Sequence, residues 1–266
     1  QILLGLAAGE RTFGGYREAL QRAADWLVQT QDPDGCWRRF PTPYASPGVK
    51  AYETNVAWGL LEAARVEPGR GYAEAAVANV NWALGNMRAN GWIDNCCLAD
   101  VTRPLTHTIG YALRGILEMY RYGRDPRFLA AARLTADGAL SALREDGYLP
   151  GELRDDWSAA VNWVCLTGTA QIAHCWLMLY EETGDRRYAD AGLIANAFVR
   201  RTVRIAGSPE VRGAVKGSLP YHAAYCRYQY PNWAAKFLAD SLMLEIDLRQ
   251  RMDGGAAQPA AAALSH

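Results

Sequence analysis

Apolar positions recur along this chain with a helical period: Ala19, Leu20, Ala23, Trp26 and Leu27 share one helix face, and Ala75, Ala76, Val80 and Leu84 repeat the pattern further on. The pattern itself repeats. Tyr16, Tyr72, Phe128 and Tyr188 lie 56, 56 and 60 residues apart, and the same offsets superpose Ala19, Ala75, Ala131 and Ala191, then Gly35, Gly91, Gly147 and Gly207. Each unit therefore opens with a helix that starts at the aromatic column. Asp34-Gly35, Asn90-Gly91 and Asp146-Gly147 are expected to end these helices, the glycine taking a left-handed conformation just past the last turn. A second helix follows in each unit, over roughly Glu53 to Ala64, Thr106 to Tyr122, Leu166 to Thr183 and Asn232 to Arg251. Leu4, Ala7, Ala8 and Gly15 superpose on Leu60, Ala63, Ala64 and Gly71, so the chain is expected to open inside the second helix of a further hairpin, with at least half a repeat upstream or lost.

Two kinds of connection alternate. Those between units are short (Arg65 to Gly71, Gly123 to Arg127, Gly184 to Arg187), and those within units are long: Asp32 to Tyr52, Trp92 to Leu105, Tyr148 to Cys165 and Ser208 to Pro231. Antiparallel helices put successive turns at opposite ends, so all the long loops gather on one rim. Structureless loops above about 12 to 15 residues are usually functional or disordered, and these are rich in Trp, Tyr, Pro and Cys, which favours an organised rim. Units near 56 residues exceed the usual solenoid repeat of about 33 to 47 and favour a closed ring of inner and outer helices. Residues 1–253 are expected to form this single all-α domain of four helical hairpins plus a partial N-terminal helix. The Ala-rich stretch 254–266 is expected to be a disordered tail.

Half of the 266 residues are apolar, enough for a large core, and 28 basic residues balance 28 acidic ones. No overall field draws the chain to nucleic acid or anionic lipid. No apolar run reaches the roughly 20 residues of a membrane span, and Gln1 to Ala8 lacks the features of a secretion signal, so a cytoplasmic protein is expected. Six cysteines, two of them adjacent, are expected to be free thiols.

The rim loops carry the candidate chemistry. The first holds Trp37 and Arg38; the second Trp92, Asp94, Asn95, Arg103 and, at its exit, His107; the third Glu152, Asp155, Asp156 and Trp157; the fourth Lys216, Tyr221, His222, Tyr225, Arg227 and Tyr228. Aromatic rings stack on sugar C–H faces and guanidinium forks pair with carboxylates, so an oligo- or polysaccharide bearing acidic groups is the expected ligand. His222, between two tyrosines, is the foremost general-base candidate, followed by Tyr225, His107 and Asp94. Trp37, Arg38, Trp92, Asn95, Arg103, Asp156, Trp157, Tyr221, Arg227 and Tyr228 would bind the substrate. Abstraction of a sugar C5 proton suits the His and Tyr of the fourth loop with Asn95 and Arg103. Paired carboxylates among Glu53, Asp94, Glu152 and Asp156 would instead serve glycoside hydrolysis, and rim aromatics without an acid–base pair would make a saccharide- or partner-binding scaffold.

The stretch Ala24-Asp25-Trp26-Leu27-Val28-Gln29-Thr30-Gln31 with Asp34-Gly35-Cys36-Trp37 resembles the turn shared by six-hairpin carbohydrate enzymes and terpenoid cyclases. Leu166-Thr167-Gly168-Thr169-Ala170-Gln171-Ile172-Ala173, with Thr183-Gly184-Asp185-Arg186-Arg187-Tyr188, is similar to the C-terminal helical domain of glucuronyl C5-epimerases and to toroid proteins of bacterial polysaccharide biosynthesis. The resemblance implies an α/α toroid, here an incomplete or small barrel. It further implies a uronate epimerase or lyase, working beside an upstream domain or other polysaccharide-assembly proteins. Asp94-x-Cys96 and Cys165-Leu166-Thr167-Gly168 also resemble the zinc-binding runs of protein prenyltransferase β subunits, but Val161 stands where those carry histidine. Trp163-x-Cys165 resembles part of a lanthionine-cyclase zinc site without its Cys-His pair, so neither metal nor cofactor is expected.

Overall fold

The computed structural model describes residues 1–255 apart from Pro41, Pro43, Ser46 and Pro47. Among the described residues nine α-helices follow one another: α1 Ile2–Phe13, α2 Arg17–Thr30, α3 Thr54–Val66, α4 Tyr72–Gly85, α5 Thr106–Gly123, α6 Pro126–Ser141, α7 Leu166–Thr183, α8 Arg186–Arg200 and α9 Asn232–Gly255. The last of these takes in Gly254 and Gly255, where the tail is expected to begin; the rest of that expected tail, 256–266, lies outside the described residues. A short antiparallel pair, β1 Val164–Cys165 and β2 Ser218–Leu219, joins the third and fourth long loops, with Val164 opposite Leu219 and Cys165 opposite Ser218.

The odd-numbered helices pack in chain order, α1 on α3, α3 on α5, α5 on α7 and α7 on α9, and form an inner layer. The even-numbered helices lie outside it, each packed chiefly on the inner helix that precedes it in the chain: α2 on α1, α4 on α3, α6 on α5 and α8 on α7. The inner layer curls, because α3, α5, α7 and α9 together line one central cleft. Between α9 and α1 there is no packed pair like the others. An inner helix walled on all sides should be apolar all round, and α7 is buried from Leu166 through Leu179 with His174 the sole exception. Trp176 is fully buried there, and its indole nitrogen donates to the Ala136 carbonyl of α6 at 3.1 Å.

The repeated columns are contacts between units. Tyr72 donates its hydroxyl to Asp25 at 2.7 Å, and Tyr188 does the same to Asp137 at 2.7 Å, so α4 is tied to α2 and α8 to α6. The glycine column plays a different role from helix termination. The outer helices end at Thr30, Gly85 and Ser141, and Gly35, Gly91 and Gly147 lie in a tight turn beyond, at φ 94°, 80° and 86°. In each, the glycine N–H donates back three residues, to Asp32, Arg88 and Arg144. A Cβ there would lie 2.4 Å from the Ala78 carbonyl oxygen of α4, 2.3 Å from the Leu134 carbonyl carbon of α6 and 2.6 Å from the Ile194 carbonyl oxygen of α8. The sequence repeat thus marks where a turn seats against the next unit's backbone. Gly207 does not share this: the fourth turn is wider, and Gly213 donates back to Arg204 instead. All six cysteines are free thiols, and five of them are buried.

Candidate active site at the mouth of the inner helices

Because every long loop leads into an inner helix, α3, α5, α7 and α9 all begin at one end, and the positive ends of their dipoles surround the same mouth. The first turns of α5 and α7 abut because residue 168 is glycine: a Cβ would sit 2.4 Å from the backbone nitrogen of His107 and from the Thr106 hydroxyl. The Cys165 sulfur caps α7 by accepting from the Gly168 N–H at 3.4 Å. That close approach sets Gln171 beside His107, whose Nδ1 lies 2.6 Å from the Gln171 side-chain oxygen. With that carbonyl accepting, the ring proton sits on Nδ1 and Nε2 keeps its lone pair.

The His107 ring is 8% exposed and packs against Tyr111, Tyr225 and Phe237, with centroids 4.5, 5.5 and 6.2 Å away. Burial pushes its pKa down to about 4 against a smaller upward pull from Gln171, so the imidazole is neutral at physiological pH. Tyr225 reaches this cluster from the fourth loop, its hydroxyl accepting from the Trp233 indole N–H at 2.9 Å. Burial holds its phenol far above the ordinary range, so it keeps its proton. A neutral base and a protonated acid thus stand side by side.

Below the mouth the inner helices line a narrow cleft. Arg114 stacks over Trp58 at 4.2 Å while paired with Glu118 at 2.7 Å, and Lys236 pairs with Asp240 at 2.6 Å. The Trp58 indole nitrogen and His174 Nδ1 are buried there without a hydrogen-bond partner. At the start of α3, Glu53 pairs with the buried Lys50 at 3.4 Å, and its second carboxylate oxygen is also unpartnered. Burial raises the Glu53 carboxyl to about 7, and Lys50 offsets only part of that rise. Buried polar atoms are normally paired, so three orphans, on α3, on α7 and on the turn leading into α3, mark where ligand hydroxyls could dock.

The other sequence candidates fall elsewhere. His222 is exposed, whereas His107 is buried in the aromatic cluster at the mouth; none of His222, His107 and Tyr225 lines the cleft or the neighbouring grooves. Asp94, Asn95 and Arg103 line a second groove of about 950 Å³, where Arg88 pairs with Asp94 at 2.8 Å and Arg103 with Asp100 at 2.8 Å. Trp92 and Trp157 are 2% and 6% exposed and meet edge-on at 5.3 Å, with the Trp157 indole donating to the Asn90 carbonyl, so burial leaves them no face for a sugar. Asp156 caps its own turn by accepting from the Ser158 N–H at 2.8 Å. Trp37 donates to the Leu27 carbonyl at 2.8 Å, and Arg38 is held by Asp32 and Asp34. Tyr221 bonds the Tyr228 carbonyl and packs on the Tyr228 ring, over which Arg227 lies at 5.1 Å. Asn55, Trp58, Tyr111, Arg114, Gln171, His174, Lys236 and Asp240 line the cleft but stand out in no motif; their helix-face spacing is the one signal that could have found them.

Among the described residues no three His, Cys, Asp or Glu side chains gather as metal ligands would, and Asp94 faces Arg88 while Cys96 is buried against Thr108. No described helix is long and apolar enough to cross a membrane. No protein-family model and no curated protein matches the sequence. Solved structures do match in fold. The unsaturated glucuronyl hydrolase of Bacillus sp. GL1, described as responsible for glycosaminoglycan degradation, superposes with a TM-score of 0.73 at 17% identity, over 91% of this chain and 72% of that one. The cellobiose 2-epimerase of Bacillus thermoamylovorans gives 0.70 at 11% identity, over 95% and 74%. A polysaccharide lyase gives 0.65 at 11% identity, over 99% and 74%. The fold of this chain is therefore an α/α toroid like that of these structures.

Proposed function

We propose that this protein is a carbohydrate-active enzyme that takes an acidic saccharide at the mouth of its inner helices and moves a proton at the sugar ring, as a uronate epimerase or lyase does. The observation that carries the reading is the His107–Tyr225 pair, with His107 fixed in one tautomer by Gln171. Nε2 of neutral His107 takes the C5 proton; Tyr225, which keeps its own, donates on the other side of the reaction. The converging helix N-termini favour the negative charge that builds up on the carboxylate as it becomes enolate-like. The solved structures that share this fold include a glucuronyl hydrolase, a cellobiose 2-epimerase and a polysaccharide lyase, which supports a saccharide as the substrate class. This assigns the base to His107 rather than to the exposed His222.

A second reading rests on Glu53. A carboxyl raised to about 7 is half protonated at neutral pH, the state a glycosidic general acid needs. Incubation with uronate oligosaccharides in deuterated water separates the outcomes. An unsaturated product indicates a lyase, deuterium at C5 without cleavage an epimerase, and new saturated reducing ends that vanish in Glu53→Gln a hydrolase. If His107→Gln and Tyr225→Phe both turn over at the wild-type rate, the proton-transfer assignment is wrong. Binding without any turnover would leave a scaffold.

A further inference from the structure

Away from the central cleft, a pocket of about 1070 Å³ opens beyond the end of α8, between residues 198–207 and the strand pair. Its charged lining consists of Arg201, Arg204 and Lys216, and no carboxylate is among the lining residues. Elsewhere, Arg38, Arg88, Arg103 and Arg121 are all held by carboxylates at 2.6 to 2.8 Å. These three cations rest on neutral groups instead: Arg201 donates to the Asp146 carbonyl at 2.9 Å, Arg204 to the Ala206 carbonyl at 3.1 Å, and Lys216 lies 5.9 Å over the Tyr221 ring. The segment 201–231 carries five cations and one carboxylate, in a chain whose charges cancel overall. The negative end of the α8 dipole accounts for one cation near Arg200 but not for three around one cavity. Phe198, Val203, Ile205 and Leu219 supply an apolar floor among them. Cations above apolar surface match an acidic sugar, whose C–H faces lie on the floor while its anionic groups meet the guanidinium forks.

We infer that this pocket is a second glycan site, outside the cleft, which grips a carboxylate- or sulfate-bearing stretch of a long acidic polysaccharide. Only the choice of glycan as the anion rests on the function proposed above. The wider fourth turn, which ends at Gly213 rather than Gly207, supplies most of the lining.

Calorimetric titration at low salt with polygalacturonate, size-matched dextran and duplex DNA tests this on three proteins: wild type, Arg201→Gln/Arg204→Gln/Lys216→Gln and Arg186→Gln. Polygalacturonate should bind wild type and Arg186→Gln alike, and the triple variant roughly tenfold or more weakly, with the difference shrinking at high salt. The three side chains are exposed or half-buried, so the variant should fold, and circular dichroism verifies it. Equal affinity of wild type and triple variant overturns the inference, as does dextran or DNA binding as tight as polygalacturonate. Turnover of short uronates without a triple-variant effect removes this site and leaves the active-site reading intact. Binding that is sensitive to the triple variant, without turnover, does the reverse.

Discussion

His107 shows how position within a helix turns an ordinary residue into a tuned one. Its pKa near 4 in the fold, against about 6.5 in an unfolded chain, means the unfolded state binds more protons between those values. The sign follows: His107 detracts nothing above pH 6.5, destabilises the fold increasingly as pH falls from 6.5 to 4, and adds no further loss below 4. Glu53, raised to about 7, works in the opposite sense, contributing below pH 4.5 and losing that contribution as pH rises through 7. The stability difference between wild type and His107→Gln should therefore change by roughly 3 kcal/mol between pH 7 and pH 4, in the direction that favours the variant at acid pH. Urea melts across that range measure it, and a pH-independent difference would contradict the neutral buried imidazole. The activity of the wild type should likewise keep its acid limb near 4 rather than near 6.5. The histidine was visible in the sequence at a helix start; its tuning was not, because Gln171 is 64 residues away and reaches it only through the Gly168 contact. His222 and the loop tryptophans misled for a related reason. Aromatic neighbours in a loop announce packing as readily as binding, and only the backbone path decides which way each side chain faces.

At the scale of the element, helices were read from apolar period almost residue for residue, since α5, α7 and α9 begin at Thr106, Leu166 and Asn232 as expected. The role of the glycine column was not readable, because a positive φ serves a helix end and a docking turn equally well. The two roles are separable by mutation. Gly91→Ala should destabilise by about 2–4 kcal/mol, since it meets both an unfavourable φ and the α6 backbone. Gly69→Ala, at φ 81° but with open space around it, should cost about 1 kcal/mol. Equal losses in thermal melts would refute the docking role. Trp176→Ala, which removes the largest fully buried side chain and its hydrogen bond to the Ala136 carbonyl, should cost about 3–5 kcal/mol, measured the same way.

At the scale of the molecule, the ring is graded. α5 and α7 are covered by neighbours on every side, whereas α1 buries only Leu3 and Ala7 and flanks an apolar groove lined by Leu6, Ala23, Trp26 and Leu27. Amide hydrogen exchange should be slowest in α5 and α7 and fastest in α1 among the inner helices; uniform protection would mean that the array opens as one cooperative block. The curl of the inner layer was expected from the long units and one-sided loops. The cationic pocket was not, because charges summed over the chain cancel and conceal a local excess. The glycine turns have one more consequence. Each is a spacer of fixed thickness between consecutive hairpins, made from a unit's own residues and fitted to whatever outer helix comes next. A gene for such a chain can lengthen or shorten by whole hairpins without redesigning any joint, so rings of differing circumference are reachable from it by duplication and deletion alone.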